Sequence, residues 1–294
     1  MLSGLFSAPE VPGALYRAAV ALLFTGIAAY YDAFNKKWVP DWVGYGFIAV
    51  AILLNIIFFS ADLLLPTAAI GIIVFALTYL IYRMGQLGGA DVFVMTGIAL
   101  CLPFFSTPLL GSASSAPYPF ILSVLIPTGF FFIAHMLIRF LPYISKRIAN
   151  GEVKFTFAKI IGPLLICVSL AIFYMVLSTL PIALPSYYLW FLLFLSVSLI
   201  FFSLFKDDIK DSMVESVPIG RLQVEDVLAL EKMQPALVKK LSLSPLITKK
   251  IIAALKKAKI KSVPVYTGMP FFLPYLFLGL LVCILFGDLL FYII

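Results

Sequence analysis

Residues 63–83 read LLLPTAAIGIIVFALTYLIYR and carry no charged side chain before Arg83 at their end. A helix that crosses a bilayer needs about 20 mostly apolar residues, so this run predicts a transmembrane helix. Seven further runs of the same kind lie at about 14–33, 42–60, 91–110, 118–141, 157–180, 185–205 and 269–293. The sequence therefore predicts an all-α polytopic membrane protein with about eight transmembrane helices.

The composition of the whole chain supports the membrane class. Of its 294 residues, 63% are hydrophobic and 12% are charged, whereas soluble domains average about 45–50% apolar and about 25% charged residues. The three cysteines lie singly in apolar runs, without the spacing of a metal or redox site. The cysteines therefore give no reason to expect a metal, and we expect no cofactor. The composition excludes a soluble globular fold.

The positions of Lys and Arg predict the orientation. If the N-terminus lies outside the cell, all of the 21 Lys and Arg residues except Arg17 fall on the cytoplasmic side, as the positive-inside rule requires. With eight helices the C-terminus then also lies outside. The net charge of +7 is a signal of topology in the cell membrane and does not indicate nucleic-acid binding.

We expect three regions along the chain. Residues 1–205 form a membrane core of about seven helices, residues 206–268 a small cytoplasmic domain, and residues 269–294 the last helix. Within the polar region, an amphipathic helix is predicted after Ser244 and Pro245, and a shorter helix at 224–233. Residues 263–266 are predicted to be a strand or an extended entry into the last helix.

Two aspartates at membrane depth are the candidate catalytic residues. Asp32 ends the first predicted helix and Asp91 begins the fourth, so both lie at the cytoplasmic boundary. Carboxylates at such depth are costly and usually functional. Two neighbouring carboxylates share a proton, so one activates a water molecule while the other protonates a peptide carbonyl. The simpler alternatives are a helix-end charge at Asp32 and a helix cap at Asp91.

The residues before Asp91, 85–91, read GQLGGAD. Gly85, Gly88 and Gly89 remove side chains where a second backbone or an extended substrate approaches closely. The stretch resembles the Gly-x-hydrophobic-Gly-x-Gly-Asp (GxGD) signature of the type IV prepilin peptidases and their archaeal preflagellin-peptidase relatives. Ala90 replaces the last glycine, and this form looks like the archaeal branch.

The residues after Asp32, a basic loop that contains Pro40, also resemble the first-aspartate region of that family. The resemblance implies an intramembrane aspartic endopeptidase with Asp32 and Asp91 as its catalytic pair. It would remove basic leader peptides from pilin-like or archaellin-like precursors at the cytoplasmic face of the membrane, in contact with membrane lipids. Tyr31 and Pro40, with the glycines and Ala90, are the expected site-shaping residues.

Bacterial members of the family also methylate the new N-terminus and carry paired cysteines in a cytoplasmic loop. This chain has no such pair, so no methyltransferase activity is expected. Asp207, Asp208 and Asp211 are candidates for binding a basic leader, and Pro270 is a candidate border of the site.

Two other functions remain as alternatives. One is a protease like presenilin or signal peptide peptidase, although those families place their aspartates on adjacent late helices. The other is an ion- or proton-coupled transporter, which would favour carboxylates near the middle of the bilayer and repeated halves in the sequence. Neither pattern is found.

Overall fold

The structure, a computed structural model, describes residues 11–34, 38–58, 60–105, 107–110, 118–153, 157–179, 186–224, 226–258, 260–267 and 270–288. The basic residues Lys36 and Lys37 after the first helix lie outside these residues. Eight apolar helices correspond to the eight predicted runs: α1 (Ala14–Phe34), α2 (Asp41–Ile57), α3 (Ala61–Arg83), α4 (Gly89–Cys101), α5 (Phe120–Ala149), α6 (Phe157–Thr179), α7 (Ser186–Ser212) and α10 (Leu273–Phe286).

The helical membrane fold is confirmed. In the described parts of the chain, five helices are long and apolar enough to cross a bilayer, namely α1, α3, α5, α6 and α7, while α2, α4 and α10 are shorter apolar helices. A bilayer core leaves no water for unpaired backbone groups, which is why such runs form helices. The count of eight transmembrane helices stays a prediction.

Helix α4 is shorter than the predicted run at 91–110. It ends at Cys101 because Leu102, which precedes Pro103, leaves the helical conformation with φ −127° and ψ 72°, as the residue before a proline usually does. The chain then continues along the end of α10. The backbone N–H groups of Leu109 and Leu110 donate to the carbonyls of Ile284 and Leu285, at 3.1 and 2.7 Å.

The described chain divides into two compact units. The first contains residues 11–132 and 214–288, and its main core joins α1, α2, α4, α10 and the start of α5. Helices approach closely where one of them carries glycine. A Cβ atom at Gly279 of α10 would lie only 2.1 Å from Thr128 Oγ1 of α5. Small residues at helix contacts are typical of membrane bundles.

The polar region of the first unit forms a small core of its own. Strands β1 (Val214–Pro218) and β2 (Ser262–Tyr266) pair antiparallel, with Val214 opposite Tyr266. They are accompanied by two short helices, α8 (Pro235–Lys240) and α9 (Lys249–Lys257). The apolar side chains of Ile247, Leu255, Val263 and Val265 are almost fully buried and pack together in one cluster.

Two predictions for this region need correction, and one is confirmed. The amphipathic helix begins after Thr248, whose hydroxyl accepts the N–H of Ile251 at 3.4 Å, and not after Ser244. The helix predicted at 224–233 is wrong except for a short 3-10 helix at Leu230–Lys232, because two backbone N–H groups before it bond to distant parts of the chain. Leu228 donates to Pro245 O at 2.7 Å and Ala229 to Pro264 O at 3.0 Å. The strand predicted at 263–266 is confirmed as β2.

The second unit contains residues 133–213. Phe140 and Ile144 of α5 pack against Phe205 and Ile209 of α7. Glu152 lies just beyond the end of α5 and accepts from the amide of Asn150 and from the guanidinium of Arg147, which is in the last turn of α5. These bonds lower the pKa of the Glu152 carboxyl below its usual value.

Candidate functional site

Helices α1 and α4 run antiparallel, and a buried arginine joins the start of one to the end of the other. Arg17 is 2% exposed and donates from Nη1 to the carbonyl of Cys101 at 3.0 Å. At 1.5 Å per residue, Asp32 lies about 22 Å further along α1, and Asp91 lies about 15 Å back along α4. The two aspartates therefore lie at the same end of the bundle, roughly 7 Å apart in depth.

The contacts of Arg17 explain this pairing. Its guanidinium also donates to Asn55 Oδ1 at 2.8 Å and to Leu54 O at 3.3 Å, and Asn55 Nδ2 donates to Leu100 O at 2.9 Å. Leu100 and Cys101 lie in the last turn of α4, where helix carbonyls lack partners within the helix, whereas Leu54 O also accepts the N–H of Phe58 at 2.9 Å. These carbonyls lie at the negative ends of the two helix dipoles. In the sequence, Arg17 stands out only as the exception to the positive-inside rule. A single arginine at the start of an apolar run was the available signal.

Asp32 lies in the last turn of α1 and is 8% exposed. Its Oδ2 accepts the backbone N–H of Leu273 at 3.2 Å. Leu273 is the first residue of α10, and Pro270 lies three residues before it. The start of the last helix is thus in contact with the first aspartate, although 241 positions separate the two residues.

Asp91 is the third residue of α4 and is 7% exposed. Its Oδ2 accepts the N–H of Gly88, the residue that precedes the helix, at 2.8 Å. A Cβ atom on Gly88 would lie 3.4 Å from the same oxygen, an ordinary van der Waals contact, so the carboxylate lies directly against this residue. The contact caps the helix start, as the simpler alternative for Asp91 requires. It also holds the carboxylate in one orientation, which a catalytic role needs as well.

Gly85 ends α3 in a left-handed conformation, with φ +74°. Its N–H donates to Tyr82 O, and the N–H of Gln86 donates to Ile81 O, at 2.8 and 3.2 Å. This is the Schellman arrangement, in which glycine is strongly preferred. A Cβ atom at Gly85 would also lie 3.5 Å from Val227 and from Pro245. The small polar region therefore packs on the loop that leads to Asp91, a contact that the sequence did not reveal.

The other expected site-shaping residues lie on α1, α2 and α4. Gly89 and Ala90 are the first two residues of α4, and Ala90 packs against the main core. Pro40 precedes α2, and its carbonyl accepts the N–H of Val43 at 3.0 Å. Tyr31 borders an open apolar groove of about 810 Å³ that runs along α1. Residues of α1, α2 and α10 line this groove: Ala19, Leu22, Leu23, Gly26, Ile27, Tyr30, Tyr31, Trp42, Phe277 and Leu281.

The three acidic residues after the seventh apolar run lie in the second unit, on α7. Asp207 and Asp211 are exposed, whereas Asp208 is 6% exposed. Its two oxygens accept from Arg147 at 2.9 Å and from Lys159 at 3.0 Å. Asp208 is therefore engaged with basic residues of its own chain, and this contact makes it a poor candidate for binding a basic leader.

The described candidate residues offer two carboxylates that are held by backbone donors. In the described part of the chain, no group of three or more His, Cys, Asp or Glu side chains is placed to hold a metal ion. Asp32 and Asp91 are each buried at a helix end, and each accepts a backbone N–H. Buried carboxylates held in this way are suited to proton transfer.

Comparison with known proteins finds one protein family that matches part of the chain. Residues 19–143 match the type IV leader peptidase family. The matched part contains both Asp32 and Asp91, and the resemblance inferred from the sequence is confirmed over it. The match indicates a membrane protease of the leader peptidase type. No curated protein and no solved structure matches the chain.

Proposed function

We propose that this chain, whose residues 19–143 match the type IV leader peptidase family, is an aspartic endopeptidase that uses Asp32 and Asp91 as its catalytic pair. The antiparallel pairing of α1 and α4 supports the proposal, because it brings two buried carboxylates to one end of the bundle. Both residues lie inside the matched part of the chain.

In the proposed reaction, the two carboxylates hold one proton between them. The ionised carboxylate takes a proton from a water molecule, and the resulting hydroxide attacks the carbonyl carbon of the scissile peptide bond. The protonated carboxylate donates its proton to the carbonyl oxygen. Collapse of the tetrahedral intermediate breaks the C–N bond, and the amine leaves with a proton. The apparent pKa values of such a reaction belong to the pair and not to one residue.

The proposed substrate is a pilin-like or archaellin-like precursor, with a short basic leader followed by an apolar helix. The predicted topology puts the catalytic pair at the cytoplasmic boundary of the cell membrane, where such a leader meets its helix. The apolar groove along α1 ends at Tyr30 and Tyr31, next to Asp32. The precursor's apolar helix is proposed to bind along this groove.

Cleavage of a defined precursor tests the proposal. The full chain in lipid nanodiscs is incubated with a tagged precursor, and mass spectrometry identifies the new N-terminus. We expect cleavage at the leader junction, and Asp32→Asn and Asp91→Asn should each lower the rate by about 100-fold or more, the scale of general acid–base catalysis. Asp62→Asn is the matched control, because Asp62 is an exposed residue in the first turn of α3. Substantial cleavage by either of the two catalytic-pair variants would refute the mechanism.

A further inference from the structure

The hydrogen bond between Leu273 and Asp32 has a simple structural origin. The first N–H groups of any helix lack partners within it. At the start of α10 the preceding residue, Phe272, has no side-chain oxygen with which to cap the helix, so the N–H of Leu273 donates to Asp32 of another helix. Pro274 follows at a position where its missing N–H costs nothing.

Close packing holds this N–H in place relative to α1. The side chains of Leu273, Leu276 and Leu280 are at most 1% exposed, and Phe277 is in contact with Gly26 of α1. At the other end of α10, Asp288 accepts the hydroxyl groups of Tyr118 and Ser123. The donor therefore lies on a rigid element.

Leu273 lies outside the part of the chain that matches the peptidase family, which ends at residue 143. We propose that Leu273 is a positioning residue of the peptidase, whose backbone N–H holds the carboxylate of Asp32 in the orientation that catalysis needs. This inference rests on the proposed function. It assigns to the last helix a direct part in a site that the matched segment alone does not complete.

The physical effect is preorganisation. The χ2 torsion of aspartate is broad, so an isolated carboxylate rotates among many orientations. An N–H bonded to Oδ2 fixes the plane of the carboxylate, and it does so before the substrate arrives. Reacting groups that are held in the productive geometry contribute strongly to rate, and small misplacements are correspondingly harmful.

Replacing one backbone N–H by oxygen tests the role of this bond. Leu273 is replaced in the full chain by its α-hydroxy acid analogue, which keeps the side chain and removes the donor. The same change at Leu278, an exposed residue of α10, is the control, because it removes one helix N–H and weakens one carbonyl in the same way. We expect kcat to fall about 10- to 100-fold at position 273, the range for a bond to a charged group. KM should stay unchanged, since the substrate does not contact this N–H.

Genetically encoded variants provide a second comparison. Leu273→Pro removes the N–H and also strains Phe272, whose αR conformation (φ −104°, ψ −43°) is disfavoured before proline. Leu273→Ala shortens the same side chain but keeps the N–H. We expect Leu273→Ala to retain most of the kcat that Leu273→Pro loses. Equal losses in both variants, or equal effects of the two ester substitutions, would overturn the inference.

Amide hydrogen exchange tests the hydrogen bond between Leu273 and Asp32 independently of enzyme activity. In wild-type protein the amide of Leu273 should exchange slowly, and Asp32→Ala should make it exchange several-fold faster, because the acceptor is gone. An unchanged exchange rate would overturn the inference even if the enzyme cleaves its precursor. By contrast, wild-type protein that cleaves no precursor, while Asp32→Ala still accelerates exchange, would refute the proposed function and leave the contact as purely structural.

Discussion

Asp91 caps the start of α4 through the N–H of Gly88 and, in the proposed mechanism, also takes part in catalysis. Asparagine keeps an oxygen that accepts this N–H but cannot exchange a proton. We expect Asp91→Asn to keep the wild-type melting temperature and lose cleavage. Asp91→Ala should lose cleavage and also lower the Tm by about 2–4 °C, the effect of losing a cap worth about 1 kcal/mol. Differential scanning fluorimetry in detergent, run beside the cleavage assay, measures both properties. Full activity of Asp91→Asn would mean that Asp91 only caps the start of α4 and takes no part in catalysis.

A second comparison of variants distinguishes the roles of the acidic side chains on α7. Asp208 holds Arg147 and Lys159, each of which is 24% exposed. Asp208→Asn leaves these two basic groups without their carboxylate partner and should lower the Tm by about 2–4 °C, the effect of losing about 1 kcal/mol. The preference of the Asp208→Asn variant among precursors with different leader charges should not change.

The exposed Asp207 should behave in the opposite way. We expect Asp207→Asn to keep the wild-type Tm and to weaken the preference for leaders with more lysines. The effect should be largest at low salt, where exposed charges are least screened. Cleavage rates of precursors with two, one and no leader lysines measure the preference. The reverse assignment, with Asp208 alone altering the preference, would contradict this division.

At the scale of elements, the contact between α5 and α10 depends on the absence of one side chain. A Cβ atom at Gly279 would lie 2.1 Å from Thr128 Oγ1 and 2.8 Å from the backbone N of the same residue, so α10 must move if a side chain is added. We expect Gly279→Ala to destabilise the protein by about 1–3 kcal/mol, as overpacking usually does, and to slow cleavage because Leu273 shifts away from Asp32.

The control lies one residue from the contact. Gly129 follows Thr128 in α5, and a Cβ atom there meets nothing within 4 Å. Gly129→Ala should therefore leave the cleavage rate unchanged and keep or slightly raise the Tm, since alanine favours a helix over glycine. Both variants are compared by thermal unfolding and by cleavage of one precursor. If Gly279→Ala were as stable and as active as Gly129→Ala, the close approach would not be important for the site.

The elements also show which parts of this fold the sequence could predict. Apolar runs predicted the helices well, because a bilayer core admits few structures other than a helix. They overestimated α4, since the residues after Pro103 are as apolar as the helix itself. The helix expected at 224–233 failed for another reason. Val227 and Leu228 form bridges with Leu246 and Val265, and such distant partners leave no local pattern.

The same limit applies to the candidate site. The two aspartates and the glycines could be found from residue types and spacing, since their chemistry depends on side chains. The N–H of Leu273 could not be found, because every residue except proline carries such a group. The position of a backbone donor depends on how helices pack, and packing is a property of the folded chain.

At the scale of the whole molecule, the eight-helix topology makes a prediction about α4. With 13 residues, α4 is about 20 Å long, which is shorter than the bilayer core of about 30 Å. The apolar segment after Pro103 must complete the crossing. Reporter fusions after residues 37, 147 and 240 should be cytoplasmic, and fusions after residues 62, 114 and 184 should be external. A cytoplasmic reporter after residue 114 would mean that α4 does not cross the membrane.

The buried arginine at the start of α1 has a consequence for how the protein is made. Arg17 binds carbonyls that lie 37 and 84 positions later in the chain, those of Leu54 and Cys101. Translation at about 5–20 residues per second takes about 4–17 s to cover the longer interval. Until the end of α4 has been made, the guanidinium lacks one of its buried acceptors. We therefore expect α1 to reach its final packing only after α4 has entered the membrane.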